Sequence, residues 1–178
     1  MNTKELAQKI DALIKAQGAE TEFVEEDGSI LVATTIKSKH FPSCALIFSF
    51  ASDEVFSNFI PPIEIRREAF PEVCEYLMRM NNELHSGKVL LDFEKGGILF
   101  KYGKDVDSFE KAPEEVLDEM IYAPLLAMEV MIPDWLAVMN KAKTPADAAA
   151  GYEKAVEKFA AEESPDGVFG GNPSTARK

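Results

Sequence analysis

The sequence predicts an α+β domain: an antiparallel sheet of about five to six strands flanked by helices. Three observations carry this. The apolar period starts helical, changes to two, returns to helical and repeats the exchange. Turn signals, Asp27-Gly28 and Lys95-Gly96-Gly97, separate alternating runs as hairpin connections do. Finally, 178 residues that are 46% hydrophobic suffice for the core of one ordinary domain.

The first element is an amphipathic helix, with Leu6, Ile10, Leu13 and Ile14 at helical spacing, Asn2 and Glu5 as a capping pair and Gly18 just past the end. Strands are expected at roughly 20–26 and 29–37, paired antiparallel, the second alternating through Ile30, Val32, Thr34 and Ile36. Phe41-Pro42-Ser43 ends that run. A third strand puts Leu46, Phe48 and Phe50 on one face, and a fourth enters at Val55-Phe56 and stops at Pro61-Pro62. The helical stripe Phe70, Val73, Cys74, Leu77, Asn81 and Leu84 follows, with Pro71 tolerated in the first turn and Gly87 closing it. Val89, Leu91 and Phe93, then Ile98, Phe100 and Tyr102, form a compact hairpin.

From Pro113 a long apolar helical stretch carries Leu117, Met120, Leu125, Met128, Met131, Trp135 and Met139. Pro124 and Pro133 lie inside it, so two or three helical pieces are expected rather than one rod. Thr144-Pro145 reads as an N-cap and first helical residue of a last helix ending near Glu162, with Ala148, Tyr152, Ala155, Val156 and Phe159 on its stripe. The domain reading is thus a body over 1–143, a C-terminal amphipathic helix over 144–162 and a disordered tail over 163–178. No internal repeat is present.

Charge and cysteine usage exclude several classes. The net charge of −12, from 31 acidic against 19 basic residues, repels a phosphate backbone, so nucleic acid is a poor partner. No basic run followed by an apolar stretch opens the chain, and no window approaches the ~20 apolar residues of a membrane span. Cys44 and Cys74 have neither disulfide-scaffold density nor metal-ligand spacing. The expectation is a soluble, cytoplasmic protein.

The search for chemistry finds little. Nucleophilic catalysis needs a base beside the nucleophile, and the chain has two histidines, His40 and His85, both at element ends, where capping or surface roles suffice. Cys44 and Cys74 fall within apolar periods and read as small buried hydrophobes. The acidic groups Glu25-Glu26-Asp27 and Glu114-Glu115 suit a turn and a helix start better than a metal site. No glycine pair opens a strand-to-helix phosphate loop. No cofactor, no metal and no enzyme activity are expected.

Three features remain as candidate binding residues. Arg66 and Arg67 precede the second helix and, with its N-terminus, could meet an anion, though offsetting Glu64 and Glu68 is the plainer role. Asn81 on an apolar stripe must be hydrogen-bonded where buried, and tying its helix to a strand or loop outweighs a ligand contact. Met128, Met131 and Trp135 offer adaptable apolar surface if exposed, and core packing otherwise.

The run Tyr76-Leu77-Met78-Arg79-Met80-Asn81-Asn82-Glu83-Leu84, then Gly87-Lys88-Val89 and Gly97-Ile98-Leu99-Phe100, resembles the YbjN family of bacterial sensory transduction regulators. Pro133-Asp134-Trp135-Leu136 is similar to an aromatic-proline stretch there, and the resemblance spans roughly residues 3 to 140. It implies a type III secretion chaperone-like fold in small acidic proteins that dimerise and bind polypeptides, with no catalytic residues to carry over. The helix from 145 and the tail depart from that pattern.

The function expected is a non-catalytic protein-binding module, chaperone-like or regulatory, acting as a homodimer with a protein partner of unknown identity through a sheet or second-helix surface. The alternative is a small-molecule sensor or uncharacterised enzyme with Arg66, Arg67 and Asn81 around a pocket. A third reading, a structural subunit of a larger assembly, predicts a permanent apolar interface.

Overall fold

A computed structural model describes residues 2–162, with side chains through Lys158; the tail over 163–178 and Phe159 of the last stripe lie outside the described residues. The fold is α+β. Helix α1 (Thr3–Ala16) opens with the expected capping box: Asn2 Oδ1 accepts from the Glu5 amide at 2.9 Å and Glu5 Oε2 accepts from the Asn2 amide at 3.0 Å. Strands β1 (Thr21–Glu26), β2 (Ser29–Ile36), β3 (Cys44–Phe50) and β4 (Glu54–Ile60) form an antiparallel meander.

A 3-10 turn (Arg67–Ala69) leads into α2 (Phe70–Glu83), which carries the chain to β5 (Lys88–Leu91) and β6 (Ile98–Asp105). The six strands lie in the order β1-β2-β3-β4-β6-β5, so β6 inserts between β4 and β5. Gly96 makes that return possible. Its φ is +74°, and a Cβ there would sit 2.5 Å from the Ile65 carbonyl oxygen of the strap passing beside the turn.

Local expectations shift in two places. The buried stripe of α2 is Val73, Tyr76, Leu77 and Met80, with Phe70, Cys74, Asn81 and Leu84 at its margins. Strand β5 stops at Leu91, because Asp92 Oδ1 accepts from the Glu94 and Lys95 amides and turns the chain early. Phe93 is left 63% exposed, its ring edge-on to Phe70 at 5.7 Å. The short α3 (Val106–Lys111), capped by Asp105, carries too brief a period to be legible in sequence.

The expected breaks at Pro124 and Pro133 do not occur: α4 (Pro113–Met139) is one helix of 27 residues. A helical proline deprives the carbonyl four residues earlier of its donor. Both carbonyls find side chains instead. Ser57 Oγ donates to the Met120 carbonyl at 2.6 Å, and His40 Nε2 lies 3.0 Å from the Glu129 carbonyl.

Helix α4 has apolar residues on every side because it has neighbours on several. It packs on β4 and β6 beneath and against α2, α3 and two C-terminal helices, α5 (Pro145–Ala149) and α6 (Tyr152–Glu162). It is long and apolar enough to cross a membrane by length and composition, which corrects the expectation that no such window exists. In this fold it is the core helix. The last element is two helices rather than one, broken at Ala150-Gly151, and Ala148 is buried in the seam with α2 and α4.

Candidate functional site

The helices divide the sheet into unlike faces. Alternate residues point to opposite sides, and the inward set, including Val32, Leu46, Phe48, Val55, Phe59 and Phe100, is almost wholly enclosed. The outward set stays part-exposed among the described residues, and no helix buries it. Its composition is unusual for a solvated face, where polar residues are expected opposite the core. Pairing registers place Val24 beside Leu31 and Ala33 beside Ile47. Phe56 lies beside Ser49 and Ala45 beside Ile60, with Leu99 and Leu90 continuing toward the β5 edge.

This apolar band runs across all six strands and has charged margins of opposite sign. Glu22 and Glu26 point outward from β1 at one edge. Lys88 and Lys101 point outward from β5 and β6 at the other. Lys101 Nζ lies over the Phe56 ring, 3.8 Å from its centroid, so its stem covers part of the band while its charge stays at the surface. Asn58 is satisfied within the sheet, donating to the Ile47 carbonyl at 2.9 Å and to Ser49 Oγ at 3.1 Å.

The candidates named from sequence do not converge. Arg66 reaches the end of α4, its Nη2 3.4 Å from the Met139 carbonyl and from Asn140 Oδ1, while Arg67 donates to the Glu94 carbonyl at 3.3 Å on the β5–β6 turn. Asn81 is committed to Val89: Nδ2 donates to its carbonyl at 3.0 Å and Oδ1 accepts from its amide at 2.8 Å. It supplies the partner that edge strand β5 lacks on its outer side. Met128, Met131 and Trp135 are each 0% exposed, which removes them as a binding surface and places them in the core.

Two shallow recesses mark the surface of the described residues. One, of about 560 Å³, is lined by Ser52, Asp53, Glu54, Asp105, Asp107 and Glu110; the other, of about 290 Å³, by Arg79, Asn82, Glu83 and the α5 alanines. Neither includes Arg66, Arg67 or Asn81. The first is acidic, but among the described residues no group of His, Cys, Asp and Glu has metal-binding geometry.

A buried carboxylate that sequence reasoning missed lies beneath the 38–44 segment. Glu129, on α4, accepts from the Lys39 amide at 2.6 Å through Oε1, and its Oε2 lies 3.3 Å from His40 Nε2. Only its pairing with His40 across Pro133 could have revealed it, and that pairing is tertiary. Cys44 is close by. Burial pushes its thiol up, a hydrogen bond with Ser38 opposes this, and the Glu129 charge adds to it. The net shift keeps the sulfur protonated, the reverse of what a nucleophile needs. His85 is exposed beyond the end of α2, and Cys74 is half-buried; both cysteines are free thiols.

Comparison with protein-family models and with curated proteins gives no match for this chain.

Proposed function

We propose that this protein is a non-catalytic protein-binding module, chaperone-like or regulatory, and that its contact surface is the helix-free face of the sheet. The observation that carries the reading is the apolar band on that face, from Val24 and Leu31 through Ile47 and Phe56 to Leu99 and Leu90, where a solvated sheet would carry polar side chains. The likeness to the YbjN family and to secretion chaperones belongs to the same proposal. So does a reducing, cytoplasmic setting, which two free cysteines suit. The non-catalytic part is supported by a protonated Cys44, by His40 being occupied with Glu129, and by Arg66, Arg67 and Asn81 pointing to three separate places.

The test is a capture experiment from native lysate with three full-length baits: the unaltered chain, Ile47→Asp on the open face, and Met78→Asp on the helical side, where Met78 is 64% exposed. Polypeptides retained by the first and third baits and lost from the second are expected. The same proteins on all three, or none on any, would overturn the assignment of the face.

A further inference from the structure

We propose that the open face is covered by this chain's own C-terminal segment, residues 163–178, laid across the sheet from β5 toward β1, where it competes with a partner polypeptide. The inference rests on the reading of that face as a contact surface and adds what controls access to it.

The order of charge decides the occupant. Residues 163–178 lie outside the described ones and enter through their sequence: Glu163 and Asp166 come first, Val168-Phe169 follow as an apolar pair, and Arg177-Lys178 come last, with no charged residue between Asp166 and Arg177. Crossed from β5, the outward face has the opposite order. Lys88 and Lys101 stand at the first edge, Phe56, Ile47 and Leu31 lie in the middle, and Glu22 and Glu26 stand at the far edge. A segment laid in that direction meets charge of opposite sign at both ends and apolar surface between them. Laid the other way, it would set acid on acid and base on base.

The point of departure and the reach agree with that direction. Helix α6 packs on α4 and α2, which lie against β4, β6 and β5, whereas α1 lies against β1, β2 and β3. The nearer edge for a chain leaving Glu162 is therefore β5. A helix resting on a sheet is about 10 Å across, and the residues from Glu162 to Asp166 span up to about 13 Å, enough to round that edge. Six strands at about 4.8 Å are about 24 Å wide, and the stretch from Asp166 to Arg177 extends to about 36 Å, which leaves slack for bends at its glycines and Pro173. Phe169 arrives about 10 Å in from β5, two strands across, at Phe56 on β4. Gly103 beside Phe56 carries no side chain, and a Cβ there would meet Phe56 Cε1 at 2.8 Å, so the Phe56 ring lies down over β6 as an apolar shelf.

Tethering makes such a weak contact effective. A short connection holds the segment near the face at an effective concentration on the order of millimolar. Docked in roughly 70–90% of molecules, it would lower a partner's apparent affinity for the face by about three- to tenfold.

Nuclear magnetic resonance of the full-length chain tests this. Overhauser contacts are expected from the Phe169 ring to the Ile47 and Leu31 methyls, with relative intensities constant between about 20 and 500 μM because the contact is intramolecular. Phe169→Asp, which leaves the described core untouched, should abolish them and raise retention of lysate polypeptides by about three- to tenfold. Arg177→Glu with Lys178→Glu should cut the contacts about twofold, more at low salt, and adding Glu22→Lys with Glu26→Lys should restore them. No contacts from Phe169 in the unaltered chain, or contacts that strengthen with concentration, would overturn the assignment, the second outcome placing another copy on the face. If lysate polypeptides are lost with Ile47→Asp while Phe169→Asp changes nothing, the contact surface stands and its cover falls. If the Phe169 contacts are present and the lysate polypeptides ignore Ile47→Asp, the cover is upheld and the broader reading falls.

Discussion

Pro124 and Pro133 each delete a donor from the middle of α4, and Ser57 and His40 each attend to the carbonyl left behind. Ser57 is fully buried, so Ser57→Ala leaves the Met120 carbonyl without a partner in the core, at a cost of about 1–3 kcal/mol. Adding Pro124→Ala returns an amide to that carbonyl. The double variant should therefore be more stable than Ser57→Ala alone, and urea unfolding of the two will show whether the pair is coupled. Asn81→Ala removes both hydrogen bonds to Val89 and exposes the outer edge of β5. A loss of about 2–3 kcal/mol is expected by the same measurement, with amide exchange quickening first in β5.

At the scale of elements, the β5–β6 hairpin depends on how closely its turn approaches the strap before α2. The Ile65 amide donates to the Gly96 carbonyl at 2.8 Å, and the Gly96 amide donates to the Asp92 carbonyl at 2.7 Å. Gly96→Ala would need φ of +74° and a Cβ 2.5 Å from backbone, so something must move. A destabilisation of about 2 kcal/mol or more is expected, read as a drop in melting temperature, whereas an alanine at Gly97, which meets nothing nearby, should cost less. The join between β6 and α4 has its own fastening. Glu119 accepts from Tyr102 Oη and pairs with Lys104 at 2.7 Å.

For the whole molecule, stability should follow pH with a plateau and two declines. Burial pushes the carboxyls of Asp11 and Glu119 up, but hydrogen bonds from Lys15 and Thr21 to the first, and from Lys104 and Tyr102 to the second, outweigh it and hold both below their ordinary values of 3.8 and 4.5. Groups depressed on folding contribute stability that is complete above their unfolded values and lost as pH falls through the folded ones, so the acid decline starts below about pH 4.5. Burial holds the Tyr76 and Tyr102 hydroxyls above their ordinary value of 10.0, and Glu119 holds the Lys104 ammonium above 10.5. Those contributions are complete below about pH 10 and lost above it, and the Cys44 thiol, held by burial above its ordinary value of 9.0, starts the decline near pH 9. Melting temperatures across the pH range should be flat between the two limits; a maximum confined to acid pH would contradict the assignment.

The sequence by itself determined the α+β class, the first helix and its capping box, the β1–β2 and β5–β6 hairpins, and the stop of β4 before Pro61. In each of these the signal is local: an apolar period, a cap or a turn residue acts within a few positions of the structure it creates. The same local rules misread α4. Two prolines argue for breaks, and only side chains 67 and 93 residues before them in the chain, Ser57 and His40, supply what the helix lacks. Tertiary structure also decided that Met128, Met131 and Trp135 are core, since α4 lies between the sheet and α2, and an apolar stripe reads alike whether it meets a core or solvent. It decided, too, that β6 enters between β4 and β5 and that every helix among the described residues gathers on one side. The open face follows from that gathering: Ile47 and Phe56 stand out only once it is known which side of each strand has no helix.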